Sequence, residues 1–256
     1  ALAVVLPILA FGGEPGVEWL VLVVLVLCLD EYARMVFPEG HRGPFGFLVL
    51  TGGSIYASAV WGLPGTTAVA LTGSLLSVLA FSLWRSTGPS GSTRDAAFLS
   101  LGLLYLPLML AYLPMVRRFQ DGLAWIVLVL VITWCGDTGA YFAGRALGKR
   151  KLAPTVSPNK TWEGAIGGLL LSMVGAGLVG PAFVGSLDLV HALVLGALLD
   201  VAGVTGDLVE SMFKRAFDVK DSGWILPGHG GMLDRIDSLL FTVPVAWMYA
   251  TAFDLI

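Results

Sequence analysis

The sequence predicts an all-α protein, a polytopic integral membrane bundle of about nine transmembrane helices, and three observations predict it. Of the 256 residues 56% are hydrophobic and only 13% charged, with a mean hydropathy of +0.83; a soluble domain carries roughly 25% charged residues. The apolar residues fall into runs close to the ~20 residues that a helix needs to cross hydrocarbon. Strict period-2 alternation, the pattern of a lipid-facing barrel strand, is absent. No polar stretch is long enough to build a soluble domain, and the runs are too many and too long for a signal peptide alone.

The apolar segments cover about 1–11, 17–34, 45–62, 65–84, 97–116, 122–143, 162–184, 188–210 and 236–256. Backbone groups in lipid must bond within their own segment, so each is expected as a helix. The seventh segment carries Gly164, Gly167, Gly168, Gly175 and Gly177, small residues that let helices approach closely. Cys28 and Cys135 sit in separate apolar runs and read as plain buried thiols. The chain divides into N-terminal helices, 1–121, and C-terminal helices, 122–256, which carry most of the polar motifs.

Orientation follows from Lys and Arg. Of the fifteen, thirteen lie in the loops after the second, fourth, sixth and eighth segments, and only Arg117 and Arg118 lie on the other side. The basic loops are therefore expected in the cytoplasm. Two of them, 144–161 and 211–235, stand apart by size and polarity.

Ionisable groups inside membrane segments are expensive and usually functional. Asp137 lies near the end of the sixth segment, Glu163 opens the seventh, Asp200, Asp207 and Glu210 lie in the eighth, and Asp234 and Asp237 open the ninth. On the expected orientation Asp137, Glu163, Asp207, Asp234 and Asp237 all fall at the cytoplasmic end, where the two basic loops also converge. Asp200 and Asp207 are seven apart and share a helix face, and Ser211 and Lys214 continue that stripe if the helix runs on. Carboxylates followed by a hydroxyl and a cation suit a hard divalent ion with phosphate above it. Interhelical salt bridging is the plainer alternative.

The stretch after Ser211 reads SMFKRAFDVKDSGWILPGHGGMLDRID. Lys214 and Arg215 suit phosphates; Gly228, Gly230 and Gly231 let backbone N–H groups approach an anion. His229 is a phosphate donor, an acid, or a structural residue of a glycine turn. Lys220 and Asp221 also fit a solvated loop tip. In the other loop the cations suit anionic lipid headgroups, while Ser157, Lys160 and Thr161 precede a helix N-terminus, which suits an anion. Thr161 also fits a plain helix cap.

These residues resemble the phosphatidate cytidylyltransferase (CDP-diacylglycerol synthase) family of bacterial type. The resemblance is carried by Ser211, Lys214, Arg215, Lys220, Asp221, Gly223, Pro227, His229, Gly230, Gly231, Asp234, Arg235 and Asp237, by GDLVES at 206–211, and by DTGAYFAGRALGK and PTVSPNKTWEG upstream. It covers about the C-terminal half. It implies attack of the phosphate of phosphatidic acid on the α-phosphorus of CTP, giving CDP-diacylglycerol and pyrophosphate, with Mg²⁺ as cofactor and a second cation left open. By the same resemblance Asp207 and Asp234 would be metal ligands. Lys160, Lys214, Arg215 and Arg145 would hold phosphates, with Asp137 and Asp237 as further ligands or partners of the ligands. Lys149, Ser157, Thr161, Ser211, Lys220, His229, Gly230, Gly231 and Arg235 complete the expected substrate contacts. The expected partners are CTP, phosphatidic acid and membrane lipids, with no nucleic acid and with a homodimer left open. The expected location is the cytoplasmic membrane, with the site facing the cytoplasm. Three other readings compete: a CTP-using lipid kinase or a cytidylyltransferase on a polyprenol-type lipid, an ion-coupled transporter, and a lipid-binding structural protein. The transporter would favour acids near the midplane and repeat symmetry; only Asp200 fits that depth, and no repeat is present.

Overall fold

A computed structural model describes residues 11–85, 88–223 and 230–256. The helices are α1 (Gly13–Val36), α2 (Arg42–Trp61), α3 (Thr66–Trp84), α4 (Pro89–Arg117) and α5 (Gly122–Leu147). A two-stranded antiparallel hairpin follows, β1 (Lys151–Ala153) and β2 (Ser157–Thr161), with Lys151 opposite Thr161 and Ala153 opposite Ser157. Then come α6 (Trp162–Phe183), α7 (Leu189–Ala216), the single turn α8 (Leu233–Ile236) and α9 (Leu239–Ala252). Eight of the nine expected apolar segments coincide with these helices. The first, 1–11, lies almost wholly outside the described residues.

Six helices, α2 to α7, are long and apolar enough to cross a membrane by length and composition, and the protein is an integral membrane protein. In α1 every 18-residue stretch holds at least three charged residues, among them Glu14, Glu18, Asp30, Glu31 and Arg34. Its apolar stripe, Val17, Val21, Leu25, Cys28, Leu29 and Tyr32, is nevertheless buried, with the spacing of one helix face. It packs with Leu48 and Ile55 of α2 and Leu99, Leu103 and Leu106 of α4 in one core. Outward-facing leucines such as Leu75, Leu76, Leu79 and Leu83 on α3 and Leu170 and Leu178 on α6 are exposed. In a bilayer these positions meet lipid.

The tightest helix pair is α5 against α6. A Cβ on Gly139 would lie 2.5 Å from the Gly167 carbonyl oxygen, and one on Gly168 would lie 2.8 Å from that of Gly136. Glycine here lets two backbones touch. Helix α7 packs against α6 and also reaches α5, and α9 lies against both α7 and α4, joining the N-terminal helices to the C-terminal ones.

Two expectations about the basic loops change. Residues 144–161 are not simply a loop: α5 runs on to Leu147 and the remainder folds as the hairpin. Five-residue polar strands carry no membrane-scale signal; β2 is held by β1, and Glu163 fixes the approach to β1, its carboxylate accepting the Lys149 amide at 3.0 Å and the Arg150 amide at 3.2 Å. Helix α7 likewise continues to Ala216, so Ser211, Lys214 and Arg215 are helical. Polar residues do not end a helix once it leaves the apolar layer.

The charge dissent of Arg117 and Arg118 has a partial local cause. Arg118 donates to Glu18 Oε1 at 2.6 Å and to the Val60 carbonyl at 2.6 Å. These partners sit at the start of α1 and the end of α2, opposite the basic end. One of the two cations there is thus neutralised within the protein.

Candidate active site

At the basic end a cleft of about 560 Å³ opens between α5, the hairpin, α6 and α7. Its polar walls are Asp137 and Arg145 of α5, Asn159, Lys160 and Thr161 of β2, Asp200 and Asp207 of α7, and Ser238 just before α9. Lys160 and Asp207 form an ion pair at 2.8 Å, and both remain partly exposed to the cleft. Asp207 Oδ1 also accepts from Ser211 Oγ at 3.3 Å, one turn along α7. Deeper in, Asp200 is buried and lies 2.9 Å from the hydroxyl of Ser172 on α6. Gly136 is needed here, because a Cβ would collide with Asp200 Oδ1 and Ser172 Oγ. Thr161 caps α6 by accepting from the Gly164 amide at 3.1 Å, so it serves as helix cap and cleft wall together. Arg145 donates to the Tyr141 hydroxyl at 2.8 Å and is otherwise exposed.

A second cluster lies one turn further along α7. Lys214 Nζ donates to Asp234 Oδ1 at 2.6 Å and pairs with the buried Glu210. Asp234 Oδ2 accepts from the Gly231 amide at 2.8 Å, the Ser222 amide at 2.9 Å and Ser222 Oγ at 2.9 Å. Burial works to raise the Asp234 pKa, but Lys214 and the two amides outweigh it and hold it at about 2. Gly230 adopts a positive φ of 77°, and a Cβ there would lie 2.7 Å from Asp234 Oδ2.

The expected residues thus separate into groups. Asp137, Arg145, Lys160, Thr161 and Asp207 share the cleft, with Ser211 bonded to Asp207. Lys214, Gly230, Gly231 and Asp234 share the second cluster. Asp237 lies between the two, its Oδ1 accepting the Ser238 amide at 2.7 Å. Lys149, Arg215, Lys220 and Arg235 are exposed, and Ser157 is half-buried on β2; none of these five lines the cleft. His229 lies outside the described residues. The Gly231 amide was expected to face a ligand anion and instead serves Asp234.

One residue escaped the sequence reading. Glu31 of α1 is 1% exposed, and its carboxylate accepts from the Met232 amide at 2.7 Å and the Leu233 amide at 2.9 Å, while its Oε2 lies 3.1 Å from Ser222 Oγ, whose single proton it shares with Asp234. A signal existed: Glu31 is an acid at the basic end of an apolar segment, the same feature that marks Asp137 and Asp207.

The donor chemistry of the cleft fits a hard divalent cation, since Mg²⁺ is commonly held by one or two carboxylates with substrate phosphate oxygens. Among the described residues no three His, Cys, Asp or Glu side chains converge to hold a metal. Such an ion would depend on a phosphate ligand to complete its shell.

Helices long and apolar enough to span a bilayer, with cations and carboxylates gathered in a cleft at one end, define a membrane-embedded protein built to handle a phosphate-bearing ligand. The chain belongs to the cytidylyltransferase family, whose model matches residues 1–253. It is 36% identical over 250 residues to a phosphatidate cytidylyltransferase of Staphylococcus haemolyticus, covering 96% of this chain and 93% of that protein. It is 43% identical over 160 residues to a phosphatidate cytidylyltransferase of Bacillus subtilis, covering 62% of this chain. A Haemophilus influenzae protein of the same name is 50% identical over 127 residues, 48% of this chain. The chain spans 60% of the length of the Bacillus relative and 44% of the Haemophilus one in these matches.

Proposed function

We propose that the chain transfers the cytidylyl group of CTP to phosphatidic acid, giving CDP-diacylglycerol and pyrophosphate. The observation that carries this reading is the cleft in which Lys160, Arg145, Asp137 and Asp207 meet, in a chain of this family. A bond forms between a phosphate oxygen of the lipid and the α-phosphorus of CTP, as the bond from that phosphorus to the bridging oxygen of pyrophosphate breaks. The attacking phosphate is already anionic, so no strong base is needed, and the work is positioning and charge neutralisation. Lys160 and Arg145 bind triphosphate from the cleft side, and Lys214 approaches from the second cluster. Asp207 and Asp137 would hold Mg²⁺, while Asp234 can join them only when Lys214 releases it. The ion, when bound, neutralises charge on the phosphates.

The excess of Lys and Arg at this end supports a cytoplasmic opening in the cytoplasmic membrane. Exposed Tyr141 on the cleft wall, beside exposed Phe142, supports lateral entry of the lipid headgroup. The test is incubation of detergent-purified protein with phosphatidic acid, Mg²⁺ and CTP labelled separately at the α- and γ-phosphates. α-Label in the lipid with γ-label in pyrophosphate is the expected result. γ-Label in the lipid would establish a kinase instead.

A further inference from the structure

We propose that Glu31 is a positioning residue of the active site: its carboxylate clamps the segment that carries Asp234 and, through it, sets Lys214. Glu31 lies on α1, 191 to 202 residues away in sequence from the groups it binds. It is the only acid of the N-terminal helices that the described hydrogen bonds tie to this segment. The chain of contacts is continuous. Glu31 takes the Met232 and Leu233 amides and faces Ser222 Oγ; the Ser222 amide donates to Asp234; Asp234 is bonded to Lys214.

The glycines around the carboxylate support the same assignment. A Cβ on Gly223 would lie 2.6 Å from Glu31 Oε1, and one on Gly231 would lie 2.5 Å from Oε2. Neither glycine is required by a positive φ among the described backbone angles. Both are small because Glu31 fills the space beside them. The two glycines thus make room for an internal anion, a role separate from binding a phosphate. Glu31 is not among the residues that line the cleft, so its effect on the reaction passes through Asp234 and Lys214.

The consequence for rate rests on the cytidylyl-transfer reading; the clamp itself does not. Glu31→Gln keeps the size but turns an amide NH₂ toward a backbone N–H, leaving at least one buried donor unpaired. In folded, detergent-purified Glu31→Gln, hydrogen exchange in the peptide spanning Met232 and Leu233 is expected to rise by about tenfold or more. Turnover per folded protein should fall about 10- to 100-fold, with KM for CTP changed less than about threefold. The readout that a merely structural role would not move is coupling: in a Lys214→Met background, Glu31→Gln should cost less than about threefold more. Wild-type exchange, wild-type turnover, or losses that multiply in full with Lys214→Met would each overturn the proposal. Should Glu31→Gln fail to fold, Ser222→Ala removes the bridge from the other side. It is expected to lower turnover about 3- to 10-fold, again without adding to Lys214→Met, and wild-type turnover there would overturn the proposal. If the wild-type protein transfers no α-label, the function is wrong, and the exchange measurement still decides the clamp.

Discussion

The two carboxylate clusters at the basic end differ in what holds them. In the cleft, the Asp207 side chain is 34% exposed and, among the described residues, is bonded only to Lys160 and Ser211. In the clamp, Glu31 and Asp234 are surrounded by backbone amides, Ser222 and Lys214. A carboxylate with open lone pairs beside solvent can take a ligand. One whose lone pairs are filled by amides builds the backbone around it. The acidic residues at this end of the chain therefore do not form one set with one task, although they crowd one end of the same bundle.

The comparison breaks most visibly at Asp207 and Asp234. Asp207→Asn should lower transfer by about 10³-fold, as expected for losing a group that meets the reacting phosphates or their ion. Its melting temperature should barely move, because a partly exposed ion pair contributes about 0–1 kcal/mol. Asp234→Asn should lose activity and also about 3 kcal/mol of stability, since Lys214 keeps only Glu210 as a carboxylate partner and one edge of the new amide turns an NH₂ toward a donor. Label-transfer assays run beside thermal unfolding in detergent separate the two. Equal stability losses in both variants would erase the distinction between cleft and clamp.

Gly231→Ala is the next largest effect. The new methyl meets Ser222 Oγ and lies 2.5 Å from Glu31 Oε2, in a site where neither neighbour can give way without breaking its own bonds. Overpacking of this kind costs about 1–3 kcal/mol, and thermal unfolding should show it. A Gly231→Ala protein as stable as wild type would mean that the clamp is looser than its distances imply.

Much of this organisation is legible in sequence, and the exceptions share a cause. Apolar length alone locates the helices, because lipid imposes it on every spanning segment. The face shared by Asp200, Asp207, Ser211 and Lys214 follows from helical spacing once α7 is known to run to Ala216. The hairpin at Lys151–Thr161 is too short and too polar to announce itself. Glu31 is hidden for a different reason: its partners are some 200 residues away, and no periodicity within α1 reports a contact made across the whole chain. Ser222 and Gly223 are explained only when that distant carboxylate is in place.

Lys160→Met tests the cleft at smaller scale. The Lys160–Asp207 pair is open to solvent, with side chains 24% and 34% exposed, so stability should change by less than about 1 kcal/mol. If Lys160 holds a phosphate of CTP, losing one charge-assisted contact should raise KM by about tenfold. Steady-state kinetics with varied CTP reads this directly. A fall in turnover alone, at constant KM, would move Lys160 from nucleotide binding to the transferring phosphoryl group.

The smallest expected effect is the sharpest control on the comparison. Gly144 also sits beside a named site residue, but a Cβ there would lie 3.3 Å from Thr161 Oγ1 and 3.6 Å from the Gly164 Cα. That is tight contact without collision, at a cleft wall where the hairpin can shift by a few tenths of an ångström. Gly144→Ala should therefore change stability by only about 0.5 kcal/mol and leave transfer within about twofold. If it is as damaging as Gly231→Ala, the cleft wall is as rigid as the clamp. Tolerance of a methyl group would then cease to distinguish a surface that must admit a ligand from one already filled by the protein's own carboxylate.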